Sequence, residues 1–360
     1  MVQNKSLVFK KIPEGWPVPG QDLVIETSDF DRDQAPPKGG ITTQNYYVSF
    51  DPYQRGRMRN PEIKSYTPAF ELGKPISNAT IAKVLKSDNP KWQHGDVVAG
   101  DLPTQEHSVV EEDSASRLKK VENPYHLDTK LFTGALGMSG LTAYSSLIEI
   151  GKPKKGETIF VSAASGSVGQ MVGQLAKHEG LTVIGSVGDD AKLDFIQKEL
   201  NFDGGFNYKK ENPMSALKRL APQGIDIYYE NVGGEQLDAA LVNMNDFGRI
   251  VACGMVSQYN AKPNEAYGVK SLMTVVSKRL TMRGFIVFDS GFGPKYSKEH
   301  QEKMQKWIHE GTFKAKQSVT DGMDNAIDGF LGMLQGKNFG KAVLKLGDLE
   351  TVSLGFAHPC

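Results

Sequence analysis

The amino-acid sequence predicts an α/β fold in which a doubly wound parallel sheet is combined with a mostly β domain. After about residue 131, short apolar runs alternate with amphipathic stretches of roughly ten residues, which is typical of parallel strands joined by right-handed helical crossovers. Residues 1–130 instead contain short extended runs between proline- and glycine-rich turns, and the tail resembles them again. We therefore expect the β domain to be built from both chain ends around an inserted α/β domain.

The chain of 360 residues is long enough for about two domains, since a domain usually has roughly 100–200 residues. We predict that residues 1–130 form the first part of the β domain, residues 131–310 the inserted domain, and residues 311–360 the return to the β domain. The extended runs of the first part are Leu7–Lys11, Leu23–Thr27, Asn45–Phe50 and Asp96–Ala99. The tail contains the runs Phe330–Leu334 and Lys341–Leu346 and resembles the β domain again.

The inserted domain shows helical periodicity directly after its first strand. Val168, Met171, Val172 and Leu175 repeat at the spacing of one helix face, and Gly180 is suited to end that helix. The expected strands are Thr158–Ala163, Thr182–Val187, Phe206–Tyr208, Ile225–Asn231 and Arg249–Gly254. The further expected helices are Ala191–Leu200, Pro213–Leu220, Glu235–Met244 and Tyr296–Gly311.

The composition excludes several classes of protein. The 42 basic and 42 acidic residues balance, so we expect neither nucleic acid nor an acidic membrane as a partner. The two cysteines, Cys253 and Cys360, are too few for a disulfide scaffold or a four-cysteine zinc site. Met1–Lys11 lacks the apolar core of a signal peptide, and no apolar run approaches the roughly 18 residues of a membrane span. Because Ala357–Cys360 matches no prenylation or peroxisomal signal, we expect a soluble cytoplasmic protein.

A glycine-rich turn, Ala163–Gly169, joins the first strand of the inserted domain to its first helix. Gly166 lets the backbone approach a pyrophosphate closely, and Gly169 lets the helix pack tightly on the strand. The N–H groups of the turn, which includes Ser167 and Val168, would then hold the phosphates together with the positive helix end. Ala163 replaces the usual first glycine. In this β–α–β context the turn predicts a Rossmann dinucleotide-binding domain, and the alternative is a turn without a ligand.

The end of the second strand favours NADPH over NADH. NAD-binding chains usually have Asp or Glu there to hold the ribose 2′-hydroxyl, whereas this chain has Val187. Lys192 and Tyr208 follow at the start of the next helix and at the end of the next strand, and they could hold a 2′-phosphate. Asp189 and Asp190 are expected to cap the helix. The alternative for Lys192 is a solvated surface lysine.

Several other catalytic motifs are missing. No tyrosine has a lysine four residues later, as in the short-chain dehydrogenases, and neither HExxH nor Gly-x-Ser-x-Gly occurs. Cys253 has no neighbouring cysteine or histidine at zinc-ligand spacing. If the protein is an oxidoreductase, we expect it to use no metal and to rely on a tyrosine hydroxyl as proton donor or oxyanion stabiliser.

Motifs along nearly the whole chain point to one family. These are Asp51–Met58, Gly140–Tyr144, Ala163–Lys177, Phe206–Lys209, Asn231–Gly234, Cys253–Asn260 and Gly336–Lys341. With them the chain resembles the zinc-independent medium-chain dehydrogenases/reductases, and among these the NADPH-dependent alkenal/alkenone double-bond reductases, which include leukotriene B4 12-hydroxydehydrogenase/prostaglandin reductase. The resemblance implies a GroES-like β domain that carries the substrate site, NADPH as cofactor, and a homodimer.

The resemblance also implies a role for each matching residue. Tyr259 would be the catalytic hydroxyl, and Tyr53 would line the substrate pocket. Gly166–Gly169 would meet the pyrophosphate, while Lys192 and Tyr208 would hold the 2′-phosphate. The other cofactor-binding residues would be Asn231, Cys253, Ser257, Phe285, Ile286, Val287 and Asn338.

The reaction that the resemblance implies is the conjugate reduction of an enal or enone. Hydride would reach the β-carbon, a hydrogen bond from Tyr259 would stabilise the enolate, and protonation at the α-carbon would complete the reaction. Two alternatives stay open, an NADPH:quinone reductase and a non-catalytic NADPH-binding sensor. Tyr259 and Tyr53 could also serve packing alone.

The chain departs from the family's common residues at Gln54, Ser139 and Glu230, where Met, Pro and Asp are usual. We expect Gln54 to change the substrate pocket. Tyr267–Val276 is a candidate mobile lid, and Phe285–Phe288 is a candidate edge strand that would pair across the dimer.

Three arginines, Arg55, Arg57 and Arg59, follow one another at alternate positions near Tyr53. Such a run could bind phosphate. We expect it instead to be solvated or to bridge the two domains.

Overall fold

The computed structural model describes residues 1–349, so Ala357–Cys360 and the end of the predicted segment 311–360 lie outside the described residues. The N-terminal elements are β1 (Val2–Phe9), β2 (Leu23–Phe30), β3 (Ile41–Ser49), α1 (Tyr53–Arg57), β4 (Lys74–Pro75), β5 (Ser77–Ser87), β6 (Val97–Pro103), β7 (His107–Val110), α2 (Glu112–Arg117) and β8 (Lys119–Lys120). Within residues 1–349, no helix is both long and apolar enough to cross a membrane.

The middle of the chain alternates strands and helices. Its elements are α3 (Met138–Ser146), β9 (Thr158–Val161), α4 (Ser167–His178), β10 (Thr182–Val187), α5 (Asp190–Asp194), β11 (Gly204–Asn207), α6 (Pro213–Leu220), β12 (Ile225–Glu230), α7 (Gly234–Asn243), β13 (Met244–Ala252), α8 (Met273–Ser277), β14 (Thr281–Gly284) and α9 (Gly293–His309). The C-terminal elements are β15 (Gln317–Asp321), α10 (Ala326–Leu334) and β16 (Lys341–Lys345). Short 3-10 helices lie at Thr129–Thr133, Val256–Gln258, Pro263–Glu265 and Met323–Asn325, and π turns at Leu147–Gly151 and Phe195–Glu199.

Parallel strands form the sheet of the inserted domain in the order β11-β10-β9-β12-β13-β14. Ile159, Phe160 and Val161 of β9 are fully buried, as expected for a central strand that is covered on both faces. The strand order reverses between β9 and β12, and ligands of open α/β sheets bind at such a switch point. The predicted doubly wound parallel sheet is confirmed.

The two chain ends together form the β domain. Its larger sheet has the order β15-β16-β3-β5-β6-β8, with β7 paired to β3, and a smaller sheet has the order β2-β1-β4. The strand β16 runs antiparallel to β3, with Val343 opposite Ser49 and Lys345 opposite Tyr47. This pairing confirms a mostly β domain built from both ends, while the boundaries at residues 130 and 310 stay predictions.

Most elements expected from periodicity lie where predicted. Thr182–Val187 is a strand and Pro213–Leu220 is a helix, both with the expected bounds. Gly180 follows α4 with φ +79°, and its N–H donates to the Lys177 carbonyl oxygen over 3.0 Å, which is the left-handed helix ending that glycine favours. The expected helix Ala191–Leu200 is instead α5 followed by the π turn Phe195–Glu199.

The assignment of Phe285–Phe288 as an edge strand is wrong. The Asp289 side chain accepts the Ile286 N–H over 3.2 Å, and the Asp289 N–H donates to the Ile286 carbonyl oxygen over 2.9 Å, so this run forms a turn. The edge strand β14 ends just before it, at Gly284. The homodimer therefore stays a prediction without that pairing.

The run Phe330–Leu334 packs in the β domain but belongs to helix α10, since a short apolar run does not distinguish strand from helix.

A buried ion pair fastens β16 to the start of α1. The side chains of Lys341 and Asp51 are 2% and 7% exposed, and Lys341 Nζ lies 2.7 Å from Asp51 Oδ1. The same ammonium donates to the Phe50 carbonyl oxygen over 2.6 Å. The other carboxylate oxygen of Asp51 accepts hydrogen bonds from Ser49 and Asn78. Burial lowers the pKa of Lys341, and the charge of Asp51 opposes that shift.

We expect Lys341→Ala to lower the free energy of unfolding by about 3 kcal/mol, because Asp51 would remain buried without its cation. The measurement is urea unfolding followed by far-UV circular dichroism. Lys345→Ala is the matched control, since this lysine lies on the same strand but pairs with the exposed Asp321 and Asp348. Such pairs contribute about 0–1 kcal/mol. Equal losses in the two variants would contradict the prediction.

Candidate active site

A cavity of about 1980 Å³ lies between the two domains, and residues that follow β9 and β12 line it. Its walls contain every residue that the sequence predicts to contact cofactor or substrate. These residues are Tyr53, Gly166, Ser167, Val168, Gly169, Lys192, Tyr208, Asn231, Cys253, Ser257, Tyr259, Phe285, Ile286, Val287 and Asn338. The fold thus brings together positions from both domains in one cavity, and their individual roles stay predictions.

The turn after β9 lies so close to helix α4 that residue 169 cannot carry a side chain. A Cβ atom on Gly169 would lie 2.4 Å from the Ala163 carbonyl oxygen and 2.8 Å from Ala164 Cα. Ala163 itself has φ +49°, a left-handed conformation that residues other than glycine rarely adopt. This conformation explains why glycine is usual at that position. With alanine there, the turn stores about 1 kcal/mol of strain.

The N-terminus of α4 offers unpaired hydrogen-bonding groups. Its N-cap residue is Gly166, and no side chain caps this end. Within residues 1–349, the buried Ser167 Oγ has no hydrogen-bond partner. Unpaired N–H groups at the positive end of a helix attract anions. The turn therefore fits the phosphates of a dinucleotide.

The segment 336–340 crosses this turn from the β domain. The Gly340 N–H donates to the Ser165 carbonyl oxygen over 3.1 Å, and Asn338 Nδ2 donates to the Gly340 carbonyl oxygen over 2.6 Å. Gly340 has φ +72°, and a Cβ atom on it would lie 2.0 Å from the Lys316 carbonyl oxygen. Only glycine fits this crossing, which brings Asn338 to the cavity wall beside the turn.

Lys192 and Tyr208 line the part of the cavity beyond β10. Lys192 Nζ donates to the Gly336 carbonyl oxygen over 2.7 Å, and no carboxylate among residues 1–349 forms an ion pair with it. Burial lowers the pKa of this ammonium, and the charge of Asp189 opposes that shift. Tyr208 is partly exposed beside Gly188. An ammonium without an ion-pair partner and an accessible phenol fit a phosphate group.

The two carboxylates in the loop after β10 already have structural partners. Asp189 caps α5 by accepting the Ala191 N–H over 2.8 Å, as predicted. Asp190 accepts a hydrogen bond from Asn207 over 2.7 Å and forms an ion pair with Lys210. Their presence is therefore explained without a ribose ligand.

Two lysines that the sequence did not single out, Lys209 and Lys337, line the same cavity. In the described part of the chain neither forms an ion pair. Each is the direct neighbour of a predicted contact, Tyr208 or Asn338, and that adjacency was the signal available in the sequence.

The buried carboxylate of Glu230 holds the turn after β12. Its Oε1 accepts the N–H groups of Val232 and Gly233 over 2.6 and 2.8 Å. Its carbonyl oxygen accepts those of Cys253 and Gly254, each over 3.0 Å. Burial raises the pKa of this carboxyl, and the N–H groups of the turn oppose the shift. The Glu230 side chain thus holds the turn, and its backbone carbonyl group links the turn to the segment that carries Tyr259.

That segment is tied to the same turn by further hydrogen bonds. The Asn231 carbonyl oxygen accepts the Val256 N–H over 3.1 Å, while Asn231 Nδ2 donates to the Ser162 carbonyl oxygen over 2.8 Å. The Ser257 hydroxyl and N–H both donate to the Val232 carbonyl oxygen, over 2.5 and 3.1 Å. Asn231 and Ser257 therefore shape the cavity wall with polar groups that are already paired.

Tyr259 presents a protonated hydroxyl to the cavity. The hydroxyl oxygen lies 3.0 Å from where a Cβ atom of Gly254 would be. Burial raises the pKa of Tyr259 to about 12, against the opposing effect of the Met255 N–H. The hydroxyl therefore keeps its proton at neutral pH and can donate a hydrogen bond. Burial also raises the pKa of Cys253 to about 12, so this cavity residue is a thiol and not a thiolate.

Tyr53 lines the cavity, but its hydroxyl already donates to Asn78 Oδ1 over 2.7 Å. Burial, followed by the charges of Asp51 and Asp101, raises its pKa. Gln54 is fully buried behind it and accepts a hydrogen bond from Asn78 Nδ2 over 3.1 Å. Gln54 is not on the cavity wall but forms hydrogen bonds with Asp51, Ser77 and Asn78 behind it, and its effect on the pocket stays a prediction.

Arg55 bridges the two domains beside Tyr259. Its guanidinium donates to the Gly15 carbonyl oxygen over 2.6 Å and to Asn260 Oδ1 over 2.8 Å. Arg57 and Arg59 donate to backbone carbonyl groups within the β domain. The bridging interpretation is confirmed for Arg55 alone.

The candidate lid, Tyr267–Val276, packs on α7. Asp238 of this helix accepts the Tyr267 hydroxyl over 2.8 Å and the N–H groups of Lys270 and Ser271 over 3.0 and 2.8 Å. All residues of the segment are described, and none of them lines the cavity. The contacts with Asp238 fix the segment on α7, and its role as a lid stays a prediction.

Comparisons with known proteins identify the family. Residues 5–120 match the family model of the N-terminal domain of oxidoreductase, and residues 167–308 match that of zinc-binding dehydrogenase. The NADP-dependent oxidoreductase RED1 of Cochliobolus heterostrophus is 55% identical over 97% of this chain and 99% of its own. The chain belongs to the medium-chain dehydrogenase/reductase family. Despite the description of the second model, no three His, Cys, Asp or Glu side chains among residues 1–349 are grouped to hold a metal ion.

Two further proteins that are similar to this chain support the predicted cofactor. The 2-alkenal reductase (NADP(+)-dependent) of Nicotiana tabacum is 42% identical over 95% of this chain and 97% of its own. The crystal structure of CurA in complex with NADPH, from Vibrio vulnificus, covers 96% of this chain and 100% of its own, with 32% identity and a TM-score of 0.87. A solved neighbour thus binds NADPH, which is the cofactor that Val187, Lys192 and Tyr208 predict for this chain.

We expect Gly169→Ala to lower the free energy of unfolding by about 2 kcal/mol, because the new methyl group would overlap the backbone of Ala163 and Ala164. Gly332→Ala is the matched control, since this glycine also lies within a helix but a Cβ there has its nearest neighbour 3.9 Å away. The control should gain about 0.5–1 kcal/mol from helix propensity. Urea unfolding measures both, and an unchanged stability of Gly169→Ala would show that the turn and helix are not in contact.

Proposed function

We propose that the protein reduces the α,β carbon–carbon double bond of enals and enones with NADPH. The observation that carries the proposal is the Tyr259 hydroxyl, which lines the same cavity as the glycine turn and Tyr53 and stays protonated at neutral pH. The tobacco relative that is named a 2-alkenal reductase supports the choice of reaction. When bound, NADPH supplies the hydride that reaches the β-carbon of the substrate.

The residues of the chain account for NADPH binding at three places. The N–H groups of Gly166–Gly169 and the unpaired Ser167 hydroxyl would hold the pyrophosphate. Lys192, with Tyr208 beside it, would hold the 2′-phosphate. Asn338, on the segment that crosses the turn, would contact the cofactor from the β domain.

Tyr259 would stabilise the charge that develops on the substrate carbonyl oxygen in the transition state. A buried donor acts more strongly than the same donor in water, and one such hydrogen bond contributes about 3 kcal/mol. Tyr53 is less suited to this role, because its hydroxyl proton is already bonded to Asn78. We therefore assign Tyr53 to the pocket wall and Tyr259 to the reaction.

The proposal is tested by mixing the purified protein with NADPH and, separately, an enal, an enone, a quinone and a saturated aldehyde. NADPH oxidation is followed by its own absorbance. We expect turnover with the enal and the enone only. Turnover with the quinone alone would make the protein a quinone reductase, and tight NADPH binding without any turnover would make it a sensor.

We expect Tyr259→Phe to lower kcat for an enone about 100-fold and to leave the Kd for NADPH within a few-fold, because the lost hydroxyl acts in the transition state. Since its pKa is raised to about 12, the wild-type kcat should show no loss through Tyr259 ionisation up to about pH 10. Tyr125→Phe is the control, a tyrosine whose ring contacts that of His309 at a centroid distance of 4.7 Å and which does not line the cavity. An unchanged kcat in Tyr259→Phe would exclude an essential hydroxyl.

We expect Lys192→Ala to raise the Kd for NADPH about 30-fold while changing the Kd for NADH little, because only NADPH carries the 2′-phosphate. Titration of cofactor fluorescence measures both constants. Lys198→Ala serves as control, since this exposed lysine pairs with Asp194 nearby on the chain and lies off the cavity wall. Equal weakening of both cofactors by Lys192→Ala would contradict the phosphate role.

A further inference from the structure

Arg55 joins three separate parts of the chain at the end of the cavity where Tyr259 lies. Its Nη2 group donates to the Gly15 carbonyl oxygen over 2.6 Å, and its Nε group donates to Asn260 Oδ1 over 2.8 Å. Asn260 directly follows Tyr259 in the inserted domain, whereas Arg55 and Gly15 lie in the N-terminal part of the β domain. Arg55 is not among the described residues that line the cavity. A side chain behind the cavity wall therefore connects the residue after Tyr259 to the opposite domain.

The β-domain side of this contact is itself fixed. Helix α1, which carries Arg55, begins beside the buried ion pair of Asp51. The loop that carries Gly15 is held by the Asp22 carboxylate, which accepts the Val18 N–H over 2.8 Å. The guanidinium is therefore held between a helix and a loop that are both fastened within the β domain.

The segment that carries Tyr259 is held from two directions. Its N-terminal part is bonded to the turn after β12 through the Val256 and Ser257 N–H groups. Tyr259 ends a single 3-10 turn, and its N–H donates to the Val256 carbonyl oxygen over 3.3 Å, which is a long hydrogen bond. At Asn260 the Arg55 guanidinium supplies a charged donor, and such hydrogen bonds are stronger than those between neutral groups. The contact with the β domain thus fixes the segment on the C-terminal side of Tyr259.

We propose that Arg55 is a positioning residue that sets the place of the Tyr259 hydroxyl in the reaction. This role rests on the proposed function, since Tyr259 is the group that would stabilise the charge on the substrate oxygen. A hydrogen-bond donor acts only where that charge develops, and a displacement of about 1 Å can cost about 100-fold in rate. Without Arg55, the segment that carries Tyr259 loses this contact with the β domain, whose Tyr53 lines the opposite part of the same cavity.

We expect Arg55→Ala to lower kcat for an enone about 30-fold and to leave the Kd for NADPH within a few-fold, because the hydroxyl is misplaced while the glycine turn is intact. The loss should vanish in the Tyr259→Phe background, where no hydroxyl remains to be positioned. A further loss of similar size in the double variant would overturn the proposal, since Arg55 would then affect kcat by a route other than Tyr259.

Arg59→Ala is the matched control for Arg55→Ala. Arg59 belongs to the same run of arginines and donates to the Gly56 and Ile63 carbonyl oxygens over 2.8 and 2.9 Å. Its hydrogen-bond partners among residues 1–349 all lie in the β domain. Its loss should leave kcat within a few-fold of the wild type, and urea unfolding compares the stability of the two variants. An equal fall of kcat in both would assign the effect to general destabilisation and overturn the positioning role.

Hydrogen exchange gives a readout that needs no turnover and uses a more conservative variant. Arg55→Lys keeps the positive charge, but a lysine lacks the planar group that binds both acceptors at once. We expect the amides of residues 256–261 to exchange about tenfold faster in this variant than in the wild type, because the segment opens more easily. The amides of β10, a strand inside the parallel sheet, are the internal reference. Unchanged exchange in residues 256–261 would overturn the positioning role, whatever the effect on kcat.

The two readouts separate a failure of the proposed function from a failure of this role. If the wild type reduces neither enal nor enone but exchange still rises in Arg55→Lys, the proposed function fails while the positioning of Tyr259 by Arg55 stands. If alkenals are reduced and neither kcat nor exchange responds to the substitution of Arg55, the positioning role fails alone.

Discussion

The crossing of the C-terminal segment over the glycine turn joins the two domains, and the cavity depends on it. The adjacent residues Gly340 and Lys341 bind in two directions, Gly340 to Ser165 of the turn and Lys341 to Asp51 at the start of α1. The first contact requires a left-handed glycine, because a side chain would meet the Lys316 carbonyl oxygen. The second contact requires both Lys341 and Asp51, because removing one partner leaves the other as an unpaired buried charge, which is strongly destabilising.

Electrostatic conditions differ between the two ends of the cavity. Burial raises the pKa values of Tyr259 and Cys253 to about 12, so these two side chains are neutral at the end of the cavity where Tyr259 lies. The other end contains lysines, Lys192, Lys209 and Lys337, that have no carboxylate ion-pair partner among residues 1–349. An anionic cofactor is attracted to the basic end, while an uncharged substrate would meet the neutral side chains of Tyr259 and Cys253.

Features encoded in short stretches of sequence were predictable. The glycine turn, the strand Thr182–Val187 and the cap at Asp189 each depend on neighbouring residues, and all three lie as expected. The failure at Phe285–Phe288 is also local, because one side chain, that of Asp289, forms a turn that apolar composition does not reveal.

Partners that are distant in the chain were not predictable. The residues next to Lys192 in the sequence do not indicate that it binds the Gly336 carbonyl oxygen. Those next to Tyr53 do not indicate that it binds Asn78. All the predicted site residues nevertheless line one cavity, but the resemblance, and not spacing, supplied Tyr53 and those from Asn231 onward.

The construction of the β domain from both chain ends has a mechanical consequence. The backbone passes between the domains twice, once between β8 and α3 and once between α9 and β15. A single tether would permit rotation about any axis, whereas two tethers leave rotation about the line that joins them as the easiest relative motion. If the domains move relative to one another, this connectivity therefore favours rotation about one axis, and such a rotation would change the clearance at the cavity mouth.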